Sequence, residues 1–240
     1  MQKYNIPIIG SIPYLESFKD TREQNKSIIK KLNNIPIEYF SFIYDLFFSI
    51  NNIYPIKILS ITSAFSNQGK SLINIILAKI FSSLNLKVLL IDGDIKRTHV
   101  HTRLNIKNTF GLCELLNDQN IPIEKAIHSI NSNFKIITAG IRKKNLDTKI
   151  LKKDNINLFN QRLRQLKNID LIIYDLLPLS KADFYPHFYK EIDLLFMLVQ
   201  ENDLIDIEFK KIIKKSLKRN LFIPALIINS RNYKKYQNQL

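Results

Sequence analysis

Six stretches between residues 56 and 229 are apolar almost without interruption: IKILSIT, KVLLID, FKIITA, DLIIYDLL, LLFMLVQ and FIPALIIN. A strand with one face in water alternates apolar with polar residues, so an unbroken apolar strand has to be covered on both faces. Between these runs lie segments with helical spacing, at 71–84, 122–130, about 147–166 and 203–217. Strands and helices in alternation need crossover connections. They predict an α/β fold: a doubly wound, mostly parallel sheet with helices on both faces. Ligands of such sheets sit beyond the carboxyl ends of the strands, and chemistry is therefore sought in the residues that follow each run.

Residues 1–56 differ in texture. NIPIIGSIPYLESF reads as an extended segment with prolines, KDTREQNKSIIKKLNN as a polar linker or weak helix, and PIEYFSFIYDLFFSI as an apolar helix that docks before the first core strand. This region is expected to be an N-terminal extension and docking helix of the same domain, whose main part is residues 57–240.

Composition narrows the partners. With 45% hydrophobic and 24% charged residues the chain has ordinary globular content, and its formal net charge is +15. That charge would suit nucleic acid or anionic lipid. The basic residues are scattered, however, in KKLNN, IRKKN, ILKKDN and KKIIKKSLKRN, without the interleaved aromatics of a single-strand platform. Nucleic acid is the less favoured partner. Cys113 is the one cysteine, which leaves no internal disulfide or cysteine metal site. His99 and His101 lie close together while His128 and His187 stand apart, so no zinc set is expected. No run approaches the roughly 20 apolar residues of a spanning helix, and the first residues lack the charged-then-apolar layout of a signal peptide. The expected location is cytoplasmic.

The run ITSAFSNQGKS follows the first core strand and precedes a helix. Residues 64–71 fit the phosphate-loop pattern of four free positions and then Gly-Lys-Ser, with Ala64 in place of the first glycine. Gly69 lets the backbone approach an anion, and the N–H groups that follow point at it from the positive helix end. Lys70 brings charge to the outer phosphates, and the Ser71 hydroxyl can ligate Mg²⁺. Ser66, Asn67, Gln68, Gly69, Lys70, Ser71 and Leu72 are the candidate nucleotide-binding residues, with ATP and Mg²⁺ as cofactors. A Gly-Lys-Ser triplet alone is a weak signal; its position between strand and helix makes it a good one.

Carboxylates at two other strand ends point the same way. Asp92 and Asp94 close the second run, two residues apart and so on one side of an extended segment. Asp175 closes a later run, where phosphate-loop nucleotidases carry the aspartate that orients the metal. An aspartate at a strand end often only caps a turn. Three that converge on one phosphate loop are harder to account for in that way.

At these motifs the chain resembles a known family. ILSITSAFSNQGKS, KVLLIDGDIKRTHVHTRLNIKNTFGLCELL, FKIITAG, IDLIIYDLLPLS, DLLFMLVQ and ALIINS are similar to the cytoplasmic catalytic domain of the bacterial tyrosine kinases that partner chain-length regulators of capsule and exopolysaccharide export. The likeness runs from about Asn5 to Asn229, and the family is grouped with the division-site and plasmid-partition ATPases. The resemblance implies phosphoryl transfer from ATP to tyrosine. Lys70 would stabilise the transferring group, and Ser71, Asp94 and Asp175 would hold Mg²⁺ directly or through water. Asp92 would accept the proton of the incoming hydroxyl, which makes Lys70, Asp92 and Asp94 the catalytic residues. Asn229 matches a position that contacts the adenine. Tyr233 and Tyr236 are the candidate phosphoacceptors, where the family carries a richer tyrosine cluster. The implied partner is a transmembrane chain-length regulator, which places the chain at the inner face of the membrane.

Several motifs depart from the family. The helix that carries Glu-x-x-Arg-x-x-Arg and packs subunits into a ring reads EYFSFIY here, with Glu38 kept but Ser41 and Tyr44 at the arginine positions. A hydroxyl cannot replace an Arg–carboxylate fork at equal strength, so a homo-oligomeric ring would rest on a degraded motif. Lys96, with Arg97 beside it, stands where the family has Arg. The loop after Asp175 keeps only Pro178 of Thr-Pro-Pro. Two alternatives therefore stay open: a weakly catalytic nucleotide-binding regulator of a membrane co-polymerase, and a partition-type ATPase. The latter usually carries an additional lysine where this chain has Phe65 and Ser66.

Overall fold

The apolar runs become the strands of a single eight-stranded sheet in the computed structural model, which describes residues 6–13, 34–141, 151–184, 186–219, 221, 223 and 225–230. In chain order the elements are β1 (Ile8–Pro13), α1 (Ser41–Asn51), β2 (Ile58–Ser63), α2 (Lys70–Ser83), β3 (Val88–Asp92), α3 (Val100–Leu104), α4 (Leu112–Asn117), β4 (Ile127–Ser129), β5 (Phe134–Ile137), α5 (Lys153–Arg164), β6 (Leu171–Asp175), α6 (Pro186–Lys190), β7 (Leu194–Gln200), α7 (Ile207–Lys218) and β8 (Ala225–Ser230). The strand order is β1-β8-β7-β2-β6-β3-β5-β4, parallel throughout except for the β4–β5 pair.

Every residue of β2, β3 and β6 is buried. Because successive side chains of a strand point to opposite faces, these runs feed two cores at once. Ile58, Leu89, Ile91, Ile172, Tyr174 and Met197 pack toward α4, α5, α6 and α7, against Leu115, Phe159, Phe188 and Phe209. Leu59, Ile61, Leu90, Ile173, Phe196 and Leu198 pack on the other face, against Phe47 of α1, Ile76 and Phe81 of α2 and Val100 of α3. The doubly wound fold follows from that division. Among the described residues no helix is long and apolar enough to cross a membrane.

The strand order reverses at β2, with β6, β3 and β5 on one side and β7, β8 and β1 on the other. Such a reversal opens a crevice at the strand's carboxyl end. The phosphate loop leaves β2 at that point.

The structure departs from the sequence expectations at several elements. The extended N-terminal segment is an edge strand, β1, paired in parallel with β8 from Ile8↔Leu226 to Pro13↔Ser230. Pro13 can end it because an outermost strand owes no further ladder bond on its free side. The expected helix at 122–130 is a short 3-10 turn at Ile123–Ala126, followed by β4. Pro122 starts that turn, and the open edge of β5 takes up the backbone from Ile127 to Ser129. Over 203–217 one expected helix becomes a 3-10 turn at Glu201–Ile205 and then α7. Asp206 causes the restart, since its carboxylate caps α7 by accepting from the Glu208 and Phe209 amides at 2.6 and 3.2 Å. The helix expected at about 147–166 is α5, and 147–150 lie outside the described residues. Helices α3, α4 and α6, of five or six residues, are too short to show a helical period.

Candidate nucleotide-binding site

The loop between β2 and α2 reverses by way of two left-handed residues, Asn67 at φ 65° and Gly69 at φ 94°. Asparagine tolerates that region better than most residues, and glycine adopts it freely. A Cβ on Gly69 would also stand 3.3 Å from Asn229 Nδ2. The loop is braced from three directions. Gln68 Oε1 accepts from the Phe65 amide at 2.9 Å, Gln68 Nε2 donates to Asp203 Oδ2 at 2.5 Å, and Asn229 Nδ2 donates to the Gln68 carbonyl at 3.3 Å. Gly69 caps α2, and among the described residues no side-chain cap hydrogen bond closes the start of that 14-residue helix. Its leading amides keep their capacity for an anion, at the positive end of the helix dipole.

Lys70 opens α2 and is 7% exposed. Its Nζ lies 3.3 Å from Asp175 Oδ1, 3.5 Å from Asp94 Oδ2 and 3.4 Å from Ser71 Oγ. Burial alone would lower its proton affinity, but Asp175 and Asp94, with a smaller contribution from Asp92, raise it above the ordinary lysine range. The carboxylates arrive from neighbouring strands: Asp92 and Asp175 are register partners at the ends of β3 and β6. The Gly93 amide donates to the Asp175 carbonyl at 2.9 Å, which ties the Asp92–Asp94 turn to the end of β6.

Asp92 has no exposed surface, and among the described residues no hydrogen bond of normal geometry reaches either of its oxygens. Burial first, and then the negative charges of Asp175 and Asp94, push its carboxyl well above the usual carboxylate range; Lys70 and the Val100 amide oppose this without reversing it.

A cavity of about 290 Å³ opens over these groups. It is lined by residues 66–73 of the loop and α2, by Asp94, Arg97, His99 and Arg103 on one side, and by Pro13, Pro178, Gln200 and Asn229 on the other. All seven candidate loop residues and Asn229 therefore face one space. Asp92 and Asp175 are not among its lining residues and lie behind Lys70 and Asp94. Arg97 lines the cavity, as Arg103 does, whereas Lys96 does not, and the Arg97 amide donates to Asp94 Oδ1 at 3.0 Å. Glu38, Ser41 and Tyr44 do not line the cavity. Tyr233 and Tyr236 lie outside the described residues.

The donor set suits a metal–nucleotide complex. Asp94, Asp175 and the Ser71 hydroxyl offer hard oxygens, which match Mg²⁺. Among the described residues no group of three or more His, Cys, Asp or Glu side chains could hold a metal by itself. A Mg²⁺ here would complete its shell with phosphate and water oxygens, as that ion usually does. The unpartnered oxygens of Asp92 and the carboxylate excess around Lys70 both fit an added cation.

Two positioning residues escape a reading of the sequence. Asn74, one turn after Lys70, is fully buried; its Oδ1 accepts from the Ile61 amide at 3.0 Å, and its Nδ2 donates to the Ile61 carbonyl at 3.0 Å and to Asp175 Oδ1 at 3.1 Å. It fixes Asp175 to the strand that carries the phosphate loop. A polar residue within the apolar run INIILA was the available signal. Tyr189 of α6 donates its hydroxyl to the Leu177 carbonyl and meets Thr62 Oγ1 at 2.9 Å, which braces the loop after Asp175. No sequence pattern announces that contact.

Comparison with known proteins agrees with this architecture. No protein-family profile matches the chain. Over 85 residues it is 36% identical to the tyrosine-protein kinase YwqD of Bacillus subtilis (strain 168), covering 35% of each chain. Over 129 residues it is 32% identical to the tyrosine-protein kinase etk of Escherichia coli (strain K12), covering 51% of this chain and 16% of that protein. The matches thus span well under two thirds of these relatives. Among solved structures, the kinase domain of the Escherichia coli tyrosine kinase ETK superposes with a TM-score of 0.77 at 20% identity, covering 95% of this chain and 92% of that one. The chimerical protein CapA2B2 gives 0.77 at 22% identity, with 96% of each chain covered. The MinC:MinD cell division complex of Aquifex aeolicus is more distant, at 0.59 and 17% identity, with 76% of this chain and 72% of that one covered. The chain resembles bacterial tyrosine kinases in sequence, and its fold is the phosphate-loop fold of their kinase domains.

Proposed function

We propose that the chain is an ATP- and Mg²⁺-dependent protein-tyrosine kinase domain that acts in surface polysaccharide production at the inner face of a membrane. One observation carries the reading: Lys70, Ser71 and Asp94 meet in the wall of one cavity with the phosphate loop, and Asp175 joins them from behind, 3.3 Å from Lys70 Nζ. Phosphoryl transfer asks a protein mainly for positioning and charge neutralisation, with little covalent work. The residues present are equipped for both. The amides of residues 69–72 orient the phosphates, Lys70 and Arg97 supply positive charge, and Asn229, which also braces the Gln68 carbonyl, is the proposed contact of the adenine. Ser71 and Asp94, with Asp175 kept in place by Asn74, would hold Mg²⁺, which would supply neutralisation of phosphate charge. Asp92, with its raised proton affinity, is the proposed acceptor of the tyrosine proton; it has no exposed surface and does not line the cavity, so this role requires it to be uncovered when nucleotide and tyrosine bind. The proposed partner is a transmembrane chain-length regulator.

The altered loop after Asp175 favours a second reading, a regulator that binds nucleotide without transferring phosphate. Incubation of the purified chain with ATP and Mg²⁺ separates the two. The kinase reading expects phosphate on Tyr233 or Tyr236, detected by peptide mass spectrometry, and none in Lys70→Met. Measurable ATP binding with no phosphorylated tyrosine would overturn it in favour of the regulator.

A further inference from the structure

Helix α7 carries Lys210, Lys211, Lys214, Lys215 and Lys218, with Arg219 at its C-cap, and all six are exposed. At about 100° per residue the five lysines fall within an arc of roughly 140°. Phe209, Ile213 and Ser216 occupy the opposite side and are buried in the core. A lysine stripe is by itself an ordinary solvated face. Two residues make this one different: Ile207, 69% exposed, sits near the middle of the basic arc at the first turn, and Ile205, 79% exposed, precedes it in the 3-10 turn. Of the two acidic groups at this end one acts on the backbone and the other offsets a single lysine of the stripe. The Asp206 carboxylate caps α7, and Glu208 pairs with Lys211 at 2.6 Å.

We infer that this face docks on an anionic lipid bilayer, with Ile205 and Ile207 entering the headgroup boundary and the lysines lying against the lipid phosphates. The charge is complementary to an anionic leaflet, and an amphipathic helix with a lysine face is a form that interfacial segments take. The isoleucines decide between the two polyanions that a basic helix could meet. A nucleic acid backbone offers an exposed isoleucine nothing to bury in, and the one aromatic residue of α7, Phe209, is turned inward and unavailable to stack on bases. The bilayer boundary offers apolar volume beside negative charge. The turn that holds Ile205 leaves the carboxyl end of β7, where Gln200 borders the nucleotide cavity. The docked face would therefore begin beside the cavity's end of the sheet and continue along the length of α7. The inference goes beyond the kinase reading and does not depend on it, because membrane binding is measured without nucleotide.

The test uses the full chain and vesicles of phosphatidylcholine with or without phosphatidylglycerol, in a sedimentation assay. Binding is expected only with phosphatidylglycerol, and is expected to weaken as salt rises. Replacing Lys210, Lys214 and Lys218 together by Gln is expected to lower affinity on the order of a hundredfold, at about fivefold per lysine. The same change at exposed Lys107, Lys125 and Lys167 controls for the general positive charge and is expected to cost only a few-fold. The chain contains no tryptophan, so Ile207→Trp is a unique fluorescent reporter. Its emission is expected to shift to the blue on anionic vesicles and to stay unchanged on neutral ones. Equal loss in the two triple variants, or no blue shift on vesicles that sediment the protein, would overturn the inference. So would tighter binding to duplex DNA that the α7 triple variant abolishes.

Discussion

Asp92 shows what a site of this kind costs the fold. Its carboxyl is buried without a hydrogen bond of normal geometry and is held above its ordinary proton affinity by burial, Asp175 and Asp94. An acid whose folded value is raised contributes stability that is complete below the unfolded carboxylate range and is lost as pH climbs through the folded value. At neutral pH its ionisation therefore works against folding. Asp92→Asn is expected to raise the melting temperature at pH 7–8 by about 2–4 °C for each kcal/mol gained, with a smaller gain at pH 5, while phosphoryl transfer falls. Lys70 is also raised, so its contribution is present at neutral pH and fades only above the ordinary lysine range. Asn74 makes the opposite case, a buried polar side chain with all its bonds made. Asn74→Ala leaves the Ile61 backbone groups unpaired and is expected to cost about 1–3 kcal/mol in urea unfolding. It should also lower kcat, because Asp175 loses its anchor.

Elements differ in how much of their sequence speaks for them. Strands β2, β3 and β6 are legible because burial on both faces demands an apolar residue at every position, and α2 because it begins at the Gly-Lys-Ser triplet and runs for almost four turns. Strand β4 was not legible: three residues next to a proline turn carry no period, and only the waiting edge of β5 makes them a strand. For α1 the apolar character was plain, and its seat was not. Phe47 packs edge-on against Phe81 of α2, with ring centroids 4.8 Å apart, and Ile43 is fully buried beside it. Phe47→Ala is expected to cost about 3–5 kcal/mol, measured by chemical denaturation, because it opens a cavity in the core that supports the phosphate-loop helix.

On the scale of the whole molecule, the sheet divides the interior into two cores, and the cavity over the phosphate loop lies at one end of that sheet, where the strand order reverses. Pro13 of the N-terminal strand and Asn229 of the last strand both reach its wall, so the cavity is closed by parts of the chain far apart in sequence. Ligand that binds only the folded chain stabilises all of it. ATP with Mg²⁺ at a hundred times its Kd is expected to add about 2.7 kcal/mol, read as a rise in melting temperature that Lys70→Met lacks. The sequence by itself determined the buried strands, the phosphate loop and the strand-end aspartates, because each is written in a few adjacent residues by periodicity or by a local backbone need. Tertiary structure alone decided that Lys70 meets Asp175, 105 positions away, that Asn74 holds the same carboxylate, and that the N-terminal segment pairs with β8. Those contacts depend on which strands lie side by side, and strand order is set by how the two cores pack.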